Sequence, residues 1–175
     1  WNMVHEHAAT GPVPALDVAA LSAQAKALRR KTHETLQKAD DDYGRRQQFN
    51  TVVSAVMELL NTVGKTDLAN DADRGAVHEA WVSAVLIISP IAPHIAHELW
   101  TVLGMHEPLV GYPWPVVDAS ALEQDSLTLV VQVNGKVRGQ IDVSASSDKE
   151  AILAFAKADA NVSRHIEGKT IRKEI

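Results

Sequence analysis

Apolar or small side chains recur at Leu21, Ala25, Leu28, Thr32, Leu36 and Ala39, the spacing of an amphipathic helix. This predicts a helix over 16–39, with Lys26, Arg29, Arg30, His33 and Gln37 on its polar face. Arg30–Glu34 and Glu34–Lys38 support it as i,i+4 pairs, and Asp40-Asp41-Asp42-Tyr43-Gly44 ends it. A second helix is expected from Arg45 to Val63. Phe49, Val52, Val53, Val56, Met57, Leu60 and Val63 form its buried stripe, and Gly64 stops it. A loop over 65–75 offers several N-cap residues. The next helix turns Val77, Trp81, Ala84, Val85 and Ile88 inward. Pro90 and Pro93 interrupt that pattern. Either the helix kinks there or a new one starts with Pro93 in its first turn. Ile95, Leu99, Trp100 and Leu103 continue the apolar face to Gly104, and the proline-rich stretch 107–118 is extended.

After a linker-like segment, 118–126, the period changes from helical to two. Residues 129–141 read LVVQVNGKVRGQI, a hairpin around Asn134-Gly135. A plain two-residue loop would set Val133 against Lys136 and Val131 against Arg138, mixing core and solvent residues on both faces. A three-residue loop, Asn134-Gly135-Lys136, pairs Val133 with Val137, Val131 with Gly139, Leu129 with Ile141 and Leu127 with Val143. One face then becomes wholly apolar, and burial enforces such an odd offset. A two-residue turn with an adjacent bulge satisfies it too. Lys136 is expected at the loop tip and Arg138 on the polar face. Ser147-x-x-Glu150 reads as a capping box opening a helix through Lys157. A short helix over Asp159–Ile166 and a strand over Lys169–Ile175 follow. The fold class is mainly α: a helical bundle over 1–117, a linker over 118–126, and a small α+β module over 127–175.

Composition narrows the chemistry. With 175 residues, a sizeable core is available. Cysteine is absent, which excludes disulfides, thiolate metal sites and a cysteine nucleophile. No apolar run is long enough to span a membrane, and the N-terminal pattern is not that of a signal peptide. The chain lacks an initiator Met and reads as a piece of a longer one. Net charge is −5, so nucleic-acid contact must come from local patches. Residues 127–141 carry two positive charges and no negative one, and residues 164–173 carry four against one.

Several motifs are incomplete. Gly168-Lys169-Thr170 hints at a phosphate loop, but Ser163 stands where that signature needs glycine. His94, His97 and Glu98 match neither order of the helical zinc-protease motifs, and no third metal ligand is evident. No catalytic residue, cofactor site or metal site is assigned. Trp81 and Trp100 lie on apolar helix faces and read as core. Arg29, Arg30, Arg45 and Arg46 form local basic groups on the bundle.

The segments 28–61, 88–100 (ISPIAPHIAHELW), 112–118 (YPWPVVD), 129–141 and 167–175 (EGKTIRKEI) closely resemble bacterial leucyl-tRNA synthetases, in that order and over nearly the whole chain. The resemblance is to their C-terminal part: an anticodon-binding-type helical domain, then a small C-terminal domain. It implies a cytoplasmic class I enzyme that uses ATP and Mg²⁺ to join leucine to tRNA(Leu). The nucleotide-site motifs and the editing domain are not in this stretch, so it is expected to be non-catalytic alone and to need no cofactor of its own. Its implied partners are tRNA(Leu) and the upstream catalytic and editing domains. The family continues past the position of Ile175 with a short apolar strand, so the small module is expected to lack its last strand. Charge and expected exposure select Lys136, Arg138, Lys169, Arg172 and Lys173 on the module, and Arg29, Arg30, Arg45 and Arg46 on the bundle, as tRNA contacts. The rival reading is a helical protein-interaction module without RNA binding.

Overall fold

The computed structural model describes residues 1–123, 126–144 and 147–167. The chain divides into two compact units, Trp1–Leu122 and Glu123–Ile175. It is mainly α, a helical unit followed by a small α+β unit.

The helical unit contains α1 (Asn2–Ala9), α2 (Ala23–Asp41), α3 (Phe49–Val63), α4 (Asp71–Ile88), α5 (Pro93–Val102) and α6 (Ala119–Leu122). α2, α3 and α4 pack on one another, and α5 packs on α4. Leu28, Leu36, Val52, Leu59, Ile87 and Trp100 are fully enclosed in their common core. The starts of α2 and α4 are tied together by the buried Asp73. Its carboxylate accepts from the backbone N–H groups of Ser22 and Ala69, both at 2.9 Å. Burial alone would raise the Asp73 pKa, but those donors outweigh it and hold the carboxyl low. Asn70 caps α4 by accepting from Asp73 N–H.

At the proline pair, the second alternative holds: the chain turns over 89–92 and α5 starts afresh with Pro93 at its first position. A proline there loses no helical hydrogen bond. The α2–α3 corner is a π turn, Asp42–Arg46, followed by Gln47 in a left-handed conformation with φ 52°. Asp42 is buried within it and accepts from Lys38 Nζ at 2.8 Å and Thr51 Oγ1 at 2.5 Å. The lysine, then the threonine, depresses its pKa.

Three expectations change. The second helix begins at Phe49 rather than Arg45 and buries Val52, Ala55, Val56, Leu59 and Val63. Phe49 and Met57, expected inside, are 54% and 60% exposed. The contact line with α2 and α4 runs through Leu59, which the expected stripe omitted, so residues on the neighbouring line face out. Ile95 is exposed for the same reason on α5. Residues 118–122, expected as linker, belong to the helical unit: α6 packs on α2, and Asp118 is bound there. α1 was not anticipated.

The small unit has an antiparallel pair, β1 (Ser126–Val133) and β2 (Lys136–Ser144), followed by α7 (Lys149–Ala158) and α8 (Ala160–Ile166). Asn134 and Gly135 both take positive φ, 52° and 74°, as a primed hairpin turn requires. Val133 therefore pairs with Lys136, and Gln132 with Val137. The register then shifts, so that Val131 pairs with Gly139 and Leu129 with Ile141. The odd offset is met by a tight turn plus a bulge, with Arg138 as the extra residue, not by a three-residue loop. Asn-Gly accepts the two left-handed conformations cheaply, and its twist matches the strands. Ile141, Val143 and Val162 are buried within this unit. A methyl group on Gly139 would come within 2.8 Å of Asp159 Oδ1 and 2.9 Å of Val162 Cγ2. Asp159 caps α8 through the N–H groups of Asn161 and Val162, so the glycine admits a helix start against the strand. Asp148, not Ser147, caps α7. The strand expected over Lys169–Ile175 lies outside the described residues.

Candidate nucleic-acid interface

The hairpin presents its two cations from a firm base. Lys136 opens β2 directly after the turn and is exposed. Arg138 sits at the bulge and is half-buried, a place where bulges re-aim a side chain. Neither has an ion-pair partner among the described residues. Lys169, Arg172 and Lys173 lie outside the described residues.

The bundle's cations are differently placed. Arg29 is 6% exposed and fully engaged. Its Nε donates to Glu79 Oε2 at 3.1 Å and its Nη2 to Asp118 Oδ2 at 2.7 Å. This corrects its expected role as an exposed phosphate contact, because its donors hold α2, α4 and the segment before α6 together. Burial opposes the Arg29 charge, but Asp118 and Glu79 more than restore it and raise its pKa. In return Arg29, and then the hydroxyl and N–H of Ser120, hold the Asp118 carboxyl far below the usual carboxylate range. His33, expected on the polar face, is buried in the same network. Its Nδ1 accepts from the Asp118 N–H at 3.1 Å, which leaves Nε2–H to donate to Glu79 Oε1 at 3.2 Å.

The remaining bundle cations stand in a ladder of opposite charges. Arg30 donates to Glu34, Lys38 to Asp42, and Arg45 to Asp41 at 2.6 and 3.1 Å. Arg46 reaches Asp42 at 3.5 Å. The exposed pairs among them, Arg30–Glu34 and Arg45–Asp41, stabilise little, but every pair lowers the net charge offered to a phosphate.

Sequence reasoning missed a second polar cluster, where α1 meets α4. His7 Nε2 lies 3.3 Å from His78 Nδ1. Arg74 Nη2 donates to Thr10 Oγ1 and to the carbonyls of Thr10 and Gly11 at the end of α1. Burial, then the positive charge of His78 and Arg74, pulls His7 down to about 4, and burial lowers His78. His7 thus titrates below its ordinary value of 6.5. Between those values the unfolded chain binds more protons, so stability falls as pH drops through the window. A urea-midpoint series from pH 7 to 4 is expected to show this loss. His7→Gln should make it shallower. His94 and His97 are both exposed on α5, and among the described residues no three metal-binding side chains converge.

The family model for the anticodon-binding domain of tRNA ligases matches residues 25–153, and the chain belongs to that family. Within it, the chain is similar to leucine–tRNA ligases over its entire length. It is 53% identical to that of Thioalkalivibrio sulfidiphilus (strain HL-EbGR7) and 52% to that of Stenotrophomonas maltophilia (strain R551-3). It spans 21% and 20% of those proteins. Its fold matches a chain of the ternary complex of Agrobacterium radiobacter K84 agnB2 LeuRS with tRNA and LeuAMS. That match has a TM-score of 0.76 and 20% identity, and covers 98% of this chain and 22% of the other. Among the described residues, no helix is long and apolar enough to cross a membrane.

Proposed function

We propose that this chain is the tRNA-docking region of a leucine–tRNA ligase. It would hold tRNA(Leu) while catalytic domains elsewhere in a longer, cytoplasmic polypeptide join leucine to it with ATP and Mg²⁺. The observation that carries this reading is the hairpin. Two cations, free of ion pairs among the described residues, sit on a rigid tight turn and bulge in a chain of net negative charge. Lys136 supplies a mobile point charge, and Arg138 a planar fork suited to a phosphate. Double-stranded RNA offers phosphates, 2′-hydroxyls and shape rather than base edges, so recognition here is of backbone and form. Arg30, Arg45 and Arg46 can contribute only by exchanging a carboxylate for a phosphate, so they add less to affinity than the hairpin pair. Lys169, Arg172 and Lys173 extend the same basic region in sequence.

The test is tRNA(Leu) binding by the complete ligase across a salt series. Removing a phosphate contact reduces the slope of log K against log salt by slightly under one per contact. Lys136→Ala with Arg138→Ala is expected to weaken binding about tenfold near physiological salt and to make that slope shallower by about one to two. Unchanged affinity and slope in the double variant would refute the hairpin contact.

A further inference from the structure

The tip of the hairpin holds two residues whose chemistry the docking reading does not use. Asn134 and Gly135 are both exposed and join β1 to β2. Among the described residues, neither the Asn134 side-chain amide nor the Gly135 N–H has a hydrogen-bond partner. A Cβ added to Gly135 would meet nothing within 4 Å, so no neighbour shields the link between the two residues. Glycine has no Cβ, so it hinders approach to its own backbone nitrogen least. A side-chain amide carbon and the next backbone nitrogen therefore stand together in open water. Lys136 follows directly, and its positive charge favours the deprotonated, nucleophilic form of that nitrogen.

These are the requirements for an intramolecular deamidation. The Gly135 nitrogen attacks Cγ of Asn134, and the new C–N bond closes a cyclic imide. The bond from Cγ to the side-chain nitrogen breaks. That nitrogen leaves as ammonia, taking up the proton lost from the Gly135 N–H. Water then opens the ring. Attack at Cγ gives aspartate, and attack at the main-chain carbonyl gives isoaspartate, whose peptide link runs through the former side chain. The sum is gain of water and loss of ammonia, and either product carries a new carboxylate. We propose that Asn134-Gly135 is a self-modifying site at which this reaction sets a negative charge beside Lys136 and weakens the hairpin's hold on phosphate. Residues 127–141 hold two cations and no acid, so one carboxylate halves their net charge. Aspartate fits the same turn, because Asp-Gly adopts it as Asn-Gly does. Isoaspartate lengthens the backbone at the turn and disturbs the pairing of Val133 with Lys136. The effect on docking rests on the tRNA-docking reading above; the modification itself does not.

The complete ligase is aged at mildly alkaline pH and physiological temperature, beside a synthetic peptide of residues 127–141 that times the reaction in an unfolded chain. Mass spectrometry of the hairpin peptide reads the replacement of NH2 by OH, and labelling by an isoaspartate methyltransferase marks the isoaspartate share. Wild type is expected to be modified at Asn134 over the same period as the free peptide, and faster at higher pH. Asn134→Gly keeps a pair that suits the turn but has no side-chain amide, and is expected to stay unmodified. A free peptide fully converted while the folded ligase stays intact overturns the site, because the turn then protects the bond. tRNA(Leu) binding is measured across a salt series for fresh and aged ligase, Asn134→Asp, Asn134→Gly and the Lys136/Arg138 double variant. Asn134→Asp is expected to weaken binding about threefold near physiological salt and to make the salt slope shallower by less than about one. Fully modified wild type should bind no better than Asn134→Asp, and aged Asn134→Gly should bind like fresh. Asn134→Asp binding like wild type, while the double variant binds weakly, overturns the effect on docking and leaves the docking reading standing. If neither weakens binding, the docking reading and that effect fall together, and the mass measurement alone decides the modification.

Discussion

Arg29→Ala is expected to destabilise the helical unit by about 1–3 kcal/mol, less than a fully buried ion pair would lose, because the Glu79 and Asp118 side chains stay 23% and 40% exposed. Arg29 is enclosed, and it bridges Glu79 of α4 and Asp118 before α6. Without it, two carboxylates face each other across the space it leaves, and the Asp118 segment loses its strongest tie to α2. Arg29→Met, which keeps most of the apolar stem, should recover only the packing part of the loss. Urea denaturation measures both variants. A second readout is specific to charge. The Asp118 carboxyl is depressed first of all by Arg29, so its NMR titration should return toward the ordinary carboxylate range in either variant. The sign follows from linkage. A depressed carboxyl stabilises the fold above its unfolded pKa, and that contribution is lost as pH falls through the folded value. The wild-type protein therefore carries this contribution at neutral pH, and the variants lack it.

Trp100→Ala is expected to cost about 3–5 kcal/mol, the range for removing a large aromatic from a core. Trp100 is 2% exposed and meets Tyr112 edge-on, with ring centroids 4.8 Å apart. Its Nε1 donates to the Glu107 carbonyl at 2.8 Å. One side chain thus fills the core beneath α5 and fastens the extended segment that carries Tyr112 and Trp114. Trp100→Phe keeps most of the apolar area but leaves that carbonyl without its donor, at a further cost of about 1–3 kcal/mol if the site stays dry. Thermal unfolding orders the three proteins.

The exposed Phe49 illustrates the limits of periodicity. Phe49, Val53, Met57 and Leu60 recur at helical spacing as regularly as Val52, Val56, Leu59 and Val63 do. Both lines fit an amphipathic pattern, and α3 can turn only one of them fully into α2 and α4. Arg29 shows the converse. It reads as polar and exposed, yet it adjoins Ala25 and Thr32 on the buried side of α2 and meets acids 50 and 89 residues away. Nothing local announces those partners. The His7–His78 contact was hidden for the same reason, since it joins residues 71 apart.

By itself the sequence determined the helical unit and the small α+β unit, the fresh start of α5 or a kink at the prolines, the burial of Trp81 and Trp100, and the odd offset of the hairpin. These follow from interactions within a few residues: apolar spacing, proline's missing donor and the parity of a strand. The order of its motifs also marked the family. Only the tertiary structure decided that Asn134-Gly135 makes a tight turn with Arg138 at a bulge, that Arg29 is a buried tie, and that the outer line of α3 stays open. Each depends on which face meets a neighbour. That choice is made by burial and charge pairing between distant segments, and local preference leaves it undecided.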